Sequence, residues 1–191
     1  MVRVAALLAA GGASRFKGST HKLLAPLAGR TVWEHSLAAV VSAGFDHVVV
    51  VTGAVTLPVP DDVSPTVIWR SHPAWAAGQA GSVQVAVRTA AELGAEQVTI
   101  GLADQPFVPS EAWRTVADAP TECRIVIATY DGVPGPNPVR LDRSVWPLLP
   151  TEGDAGARHL ITEHASWVCR VACLGSGADI DTLEDLERWN N

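Results

Sequence analysis

The run Val2 to Ala10, VRVAALLAA, is apolar at every position but Arg3 and ends on Gly11-Gly12. A strand with one wet face alternates apolar and polar residues. A run without alternation predicts a strand covered on both faces, the setting of a mainly parallel sheet. Two glycines directly behind it allow a tight turn and let backbone N–H groups approach a ligand, because no Cβ stands in the way.

Similar apolar stretches recur at His47–Val51, Thr66–Trp69, Gln97–Ala103, Arg124–Tyr130 and Trp167–Cys173. Helical segments fall between them. One is capped by Thr31 and ended by Gly44, one ends near Gly94, and one starts at Pro109-Ser110. Others span Arg143–Leu149 and Asp154–His164, and Thr182 with Asp185 forms a capping box for a terminal helix. DGVPGPNPVRL, from Asp131, reads as a proline-rich loop with a short strand. The alternation predicts an α/β fold, a three-layer α/β/α with a Rossmann-like, mainly parallel sheet, in one domain over residues 1–191.

The loop behind the first strand is chemically unusual. The chain has only two lysines, Lys17 and Lys22, and both lie there with Arg15 and His21, while the first acidic residue is Glu34. The chain as a whole is acidic, with 14 Lys+Arg against 20 Asp+Glu, so attraction to nucleic acid or an anionic membrane is not expected. A local positive island in a negative protein points to one bound anion, and amide donors, lysine and arginine suit phosphate. Lys17-Gly18-Ser19 is not the Gly-Lys-Ser/Thr order of a P-loop, and Gly11-Gly12 lacks the spacing of a dinucleotide fingerprint.

Other chemistry is excluded or left bland. No apolar run approaches the length of a membrane span, and the N-terminal stretch reads as a strand of a cytoplasmic enzyme. Cys123, Cys169 and Cys173 read as small core residues, the last two without a second pair to complete a metal site. The histidines show no zinc-hydrolase spacing, and no Gly-x-Ser-x-Gly nucleophile is present.

Ligands of such sheets sit beyond the carboxyl ends of the strands. Gly11 and Asp104 both fall there, so they are expected to face one crevice. Asp104 before Pro106 reads either as a turn residue or as a Mg²⁺ ligand, since Mg²⁺ is held by one or two carboxylates plus substrate phosphates. Asp179 and Asp181, two apart before a helix, read as capping residues or as further metal ligands. Gly78 and Ser82, in SHPAWAAGQAGS, precede a helix whose N-terminus could hold a base edge or a phosphate; the plainer reading is a connection with Ser82 as N-cap.

The ordered set LLAAGGASRF with Lys22, GLADQP and DIDTLEDL, together with HPAWAAGQAGSV and GDAGARHL, resembles the MobA-like nucleotidyltransferases over nearly the whole chain, and within them the molybdenum cofactor cytidylyltransferase group. The resemblance implies the nucleotide-diphospho-sugar transferase type of fold. It also implies Mg²⁺-dependent transfer of a nucleoside monophosphate, CMP from CTP or GMP from GTP, to the phosphate of molybdopterin, with pyrophosphate released and a molybdoenzyme receiving the product. It maps the nucleotide loop onto Leu8, Ala9, Ala10, Gly11 and Gly12, catalytic cations onto Arg15 and Lys22, metal ligands onto Asp104, Asp179 and Asp181, and nucleotide contacts onto Gly78 and Ser82. Lys17 competes with Lys22 for the phosphate, because the Arg15–Lys22 spacing is longer than the family pattern. Relatives that use CTP have alanine at the position of Ala10. Pro136-Asn137-Pro138 stands where relatives have Gly-His-Pro, a departure that bears on the acceptor. Two further readings are transfer to a sugar phosphate or another phosphorylated cofactor, and a non-catalytic nucleotide-binding chaperone or regulator.

Overall fold

The computed structural model of the chain describes residues 1–60 and 66–190. In chain order its elements are β1 (Val4–Ala9), β2 (Pro26–Leu27), β3 (Arg30–Thr31), α1 (Val32–Ser42), β4 (His47–Thr52), β5 (Val67–Ser71), α2 (Gln79–Glu92), β6 (Gln97–Leu102), α3 (Ser110–Ala117), β7 (Ile125–Tyr130), β8 (Val133–Asp142), α4 (Arg158–Glu163), β9 (Val168–Ala172) and α5 (Leu183–Asn190). Seven strands form one sheet in the order β5-β4-β1-β6-β8-β7-β9, and β2 pairs with β3 in a separate hairpin. All pairings in the large sheet are parallel except those of β8, which runs against both β6 and β7.

Alternation along β1 explains its unbroken apolar text. Ala5, Leu7 and Ala9 belong to a core shared with α1, α3 and α5 through Trp33, Leu37, Trp113 and Leu186. Val4, Ala6 and Leu8 belong to a second core, with Val83 and Val87 of α2 and Leu160 of α4. Both faces of the strand are covered by helices, so every position is buried. This is the expected three-layer arrangement.

The caps predicted at Thr31, Gly44 and Thr182–Asp185 form. Thr31 N–H and Oγ1 both donate to the Glu34 carboxylate at 2.7 Å, and Gly44 takes the left-handed conformation behind α1 at φ 77°. At α5, Thr182 N–H donates to Asp185 at 2.8 Å and Asp185 N–H donates back to Thr182 Oγ1 at 3.1 Å.

Five expectations are revised. The proline-rich stretch is no short strand but ten-residue β8, lying inside the sheet. Its prolines fall where the ladder allows them: β6 pairs only with 139–142, and 133–138 are held by β7 alone, across a register shift between Ile127 and Thr129. Proline has no N–H to give a second neighbour, so beyond Ile100 and Val139 the sheet opens between β6 and β8. The stretch from Arg143 is a 3-10 helix to Leu148, and the helix expected from Asp154 starts at Arg158. Ser82 is not an N-cap, because Gly78 caps α2 and Ser82 lies buried in the helix body. Finally, Cys123 is not simply a small core residue. It forms a disulfide with Cys169, 46 residues on, and leaves Cys173 free. Register supplies the reason: β9 pairs Cys169 with Val126 at the start of β7, beside the residue that spacing alone could not connect.

Candidate active site

β1 and β6 are neighbours, and the chain leaves β1 toward β4 on one side before returning to β6 on the other. That reversal is the topological switch point at which open α/β sheets bind ligands. Leu8 pairs with Leu102, and Ala103 N–H donates to Leu8 O at 3.0 Å, so the Gly11 loop and Asp104 emerge side by side. The C-terminal segment is pinned to the same place. Ser176 N–H donates to Phe107 O at 3.1 Å, Ile180 N–H to Asp104 O at 2.9 Å, and Gln105 Nε2 to Gly177 O at 2.8 Å.

These contacts assemble a chain of ion pairs. Lys22 Nζ stands 2.6 Å from Asp104 Oδ2 and 2.7 Å from Asp181 Oδ1, and Arg15 stands 2.6 Å from Asp181 Oδ2. Lys22 is only 9% exposed. Burial alone would lower its pKa, but the Asp104 carboxylate first and Asp181 second outweigh that and hold it above the ordinary lysine value. Asp179 lies beside the pair: burial raises its pKa, and the charges of Asp181 and Asp104 raise it further. Asp104 Oδ1 is buried and has no hydrogen-bond partner.

Of the residues singled out in the sequence, Arg15, Lys22, Asp104, Asp179 and Asp181 are thus brought together. Lys17 is not among them; its exposed ammonium donates to Ser14 O at 3.2 Å. Leu8, Ala9 and Ala10 are buried, with Ala10 packed against Gly53, where an added Cβ would lie 2.8 Å from the Ala10 methyl group. Gly11 and Gly12 are exposed, and the indole of Trp75 lies on Gly12, where an added Cβ would stand 2.6 Å from the ring. Gly78, at φ 112°, sits against the backbone of Gly153. The N-terminus of α2 is already occupied, since Gln79 N–H donates to Asp154 Oδ1 at 3.3 Å and Ala80 N–H to Gly153 O at 2.9 Å.

His21 has a role that charge counting missed. Its Nδ1 accepts from Leu23 N–H at 3.3 Å, which leaves Nε2 to donate to Gly11 O at 3.0 Å. Burial, opposed in part by that bond and aided by Lys22, lowers its pKa, so it braces the loop as a neutral ring. A histidine directly before the loop lysine Lys22 was the available signal.

Three carboxylates face two cations here, leaving the site with negative charge in excess. A polyphosphate is repelled by such a site unless a cation accompanies it. Among the described residues no group of three or more His, Cys, Asp or Glu side chains stands ready to hold a metal alone. The donor set therefore suits a hard divalent ion completed by phosphate oxygens, with the unpartnered Asp104 Oδ1 as one anchor.

The family model of the MobA-like NTP transferase domain matches residues 5–167. The chain belongs to the MobA-like NTP transferase family. As a member of it, the protein is a nucleotidyltransferase. It is 31% identical to the purine catabolism protein PucB of Bacillus subtilis, over 93% of this chain and 91% of that one. Among solved structures, Rv0371c of Mycobacterium tuberculosis superposes with a TM-score of 0.80 at 26% identity, covering 98% of this chain and 97% of that one. A second structure of Rv0371c, in complex with manganese, gives 0.75 at 26% identity over 100% and 98%. The inositol-1-phosphate CTP transferase of T. maritima shares the fold, with a TM-score of 0.71 at 14% identity over 97% and 91%. No helix among the described residues of this MobA-like protein is long and apolar enough to cross a membrane.

Proposed function

We propose that this protein moves CMP from CTP onto the phosphate of a molybdopterin-type cofactor, releasing pyrophosphate, with Mg²⁺ as the physiological ion. The observation that carries the reading is the Arg15–Asp181–Lys22–Asp104 chain at the switch point, rich in carboxylate and with Asp104 Oδ1 unpartnered.

The acceptor is a phosphate monoester with a second pKa of about 6, so near neutral pH its oxygen attacks without a dedicated base. That oxygen bonds to the α-phosphorus of the nucleotide, the bond from α-phosphorus to the bridging oxygen breaks, and pyrophosphate leaves. Lys22 and Arg15 exchange their carboxylate partners for phosphate oxygens and offset the repulsion between the two anions. Asp104, with Asp179 or Asp181, would hold the divalent ion, which supplies charge neutralisation and polarises the phosphoryl oxygens. Gly11 and Gly12 bring backbone amides to the triphosphate, and the buried Ala10 methyl narrows the base site in favour of a pyrimidine.

Pyrophosphate release is the direct test, with CTP, GTP, ATP and UTP offered in turn, with and without the pterin cofactor and with Mg²⁺ or Mn²⁺. Release with CTP only when cofactor is present is expected. Equal use of GTP refutes the base assignment, and release with a sugar phosphate but not the cofactor refutes the acceptor.

A further inference from the structure

The opening of the sheet between β6 and β8 leaves a cavity of about 330 Å³. Ile100, Ile127, Val139 and Ile161 give it apolar walls, and the carboxylic acid Asp179 also lines it. None of its lining residues belongs to the 11–22 loop, while Asp179 and Gln105, the chain neighbour of Asp104, connect it to the ion-pair cluster. Its size is at the lower end of small-molecule sites, roughly 300–1,000 Å³.

Gln105 also lines this cavity, is 2% exposed, and has its Oε1 buried without a partner. Its orientation is forced. The Gly177 carbonyl can only accept, so the nitrogen must face it at 2.8 Å, and the oxygen is left without a partner. A buried acceptor without a donor is costly, and a ligand that supplies an N–H recovers the loss. Asn137, 7% exposed, is a second buried amide on the wall.

We infer that Gln105 is a specificity residue for the acceptor: its Oε1 receives a ring N–H of a flat heterocycle seated in the β6–β8 cavity, whose phosphate reaches the cluster past Asp179. The assignment rests on the acceptor reading above.

Calorimetric binding of hydroxymethylpterin and of its ring-N-methylated counterpart, which lacks the donor, tests this without nucleotide or turnover. Wild type is expected to bind the parent about tenfold more tightly than the methylated probe, and Gln105→Met to bind the two alike. The comparison of two probes on one protein makes the result independent of any loss of stability in the variant. Ala157→Leu, which fills the cavity from the α4 side, is expected to abolish binding of both. No binding of either probe to wild type, no discrimination between them by wild type, discrimination retained in Gln105→Met, or unchanged binding in Ala157→Leu would each overturn the assignment. Pterin binding as expected with no pyrophosphate released refutes the proposed reaction and leaves the cavity assignment standing.

Discussion

Replacing Lys22 by methionine keeps the apolar stem of the side chain and removes the ammonium alone. The loss strands Asp104 and Asp181, whose side chains are each 16% exposed, with only the largely exposed Arg15 as counter-charge. Removing one partner of a buried ion pair costs about 3–5 kcal/mol, and the residual solvent access here argues for about 3 kcal/mol. For a domain of this size that is a fall of about 6–12 °C in Tm. The sign with pH follows from the raised folded pKa of Lys22: its contribution is fully present below the ordinary lysine value and is lost as pH rises through the folded value. Added Mn²⁺ or Mg²⁺ is expected to raise the Tm of the variant more than that of wild type, because the ion replaces the missing charge. Turnover falls by about 10²–10³-fold, the loss typical of a group that stabilises transition-state charge. Calorimetry across pH, paired with pyrophosphate release, reads all of this. A Lys22→Met protein with wild-type Tm at neutral pH, or with near wild-type turnover, would refute the reasoning.

Asp179→Asn is expected to raise Tm near neutral pH, since a carboxyl with a raised folded pKa favours the folded state below its ordinary value and loses that contribution as pH rises through the folded one; the gain over wild type should vanish in acid melts. The same variant should lose turnover if Asp179 helps hold the metal. Gly78→Ala should destabilise by about 1–3 kcal/mol in urea unfolding, because the position has φ 112° and the new Cβ would sit 2.5 Å from the Gly153 backbone. Cys123→Ser opens a loop of 46 residues, worth about 4 kcal/mol on the loop-entropy account, and the difference from wild type should disappear when both are melted with a reductant.

What the sequence disclosed was local. The strand around Leu7, the Thr31 cap and the Thr182–Asp185 box announce themselves within a few residues, because periodicity and capping are short-range properties. Asp104 and Asp181 were readable as candidates, but their meeting through Lys22 depends on the Ile180–Asp104 and Gln105–Gly177 bonds, which no spacing encodes. The choice between Lys17 and Lys22 is of the same kind: both are cations in one loop, and only the 3-10 turn at Lys22–Leu24 sends one of them inward. β8 was hidden by its prolines, which read as a loop when the chain is taken alone and as an unpaired edge once the pairing with β6 is seen to stop at Ile100.

The one-sided attachment of residues 133–138 bears on how this scaffold diversifies. A segment hydrogen-bonded to β7 but free of β6 can exchange side chains, or gain and lose residues, without disturbing the ladder that carries Gly11 and Asp104. On the proposed acceptor site, transfer chemistry and choice of recipient would then be carried by different strands, and a change of recipient would leave the transfer machinery in place.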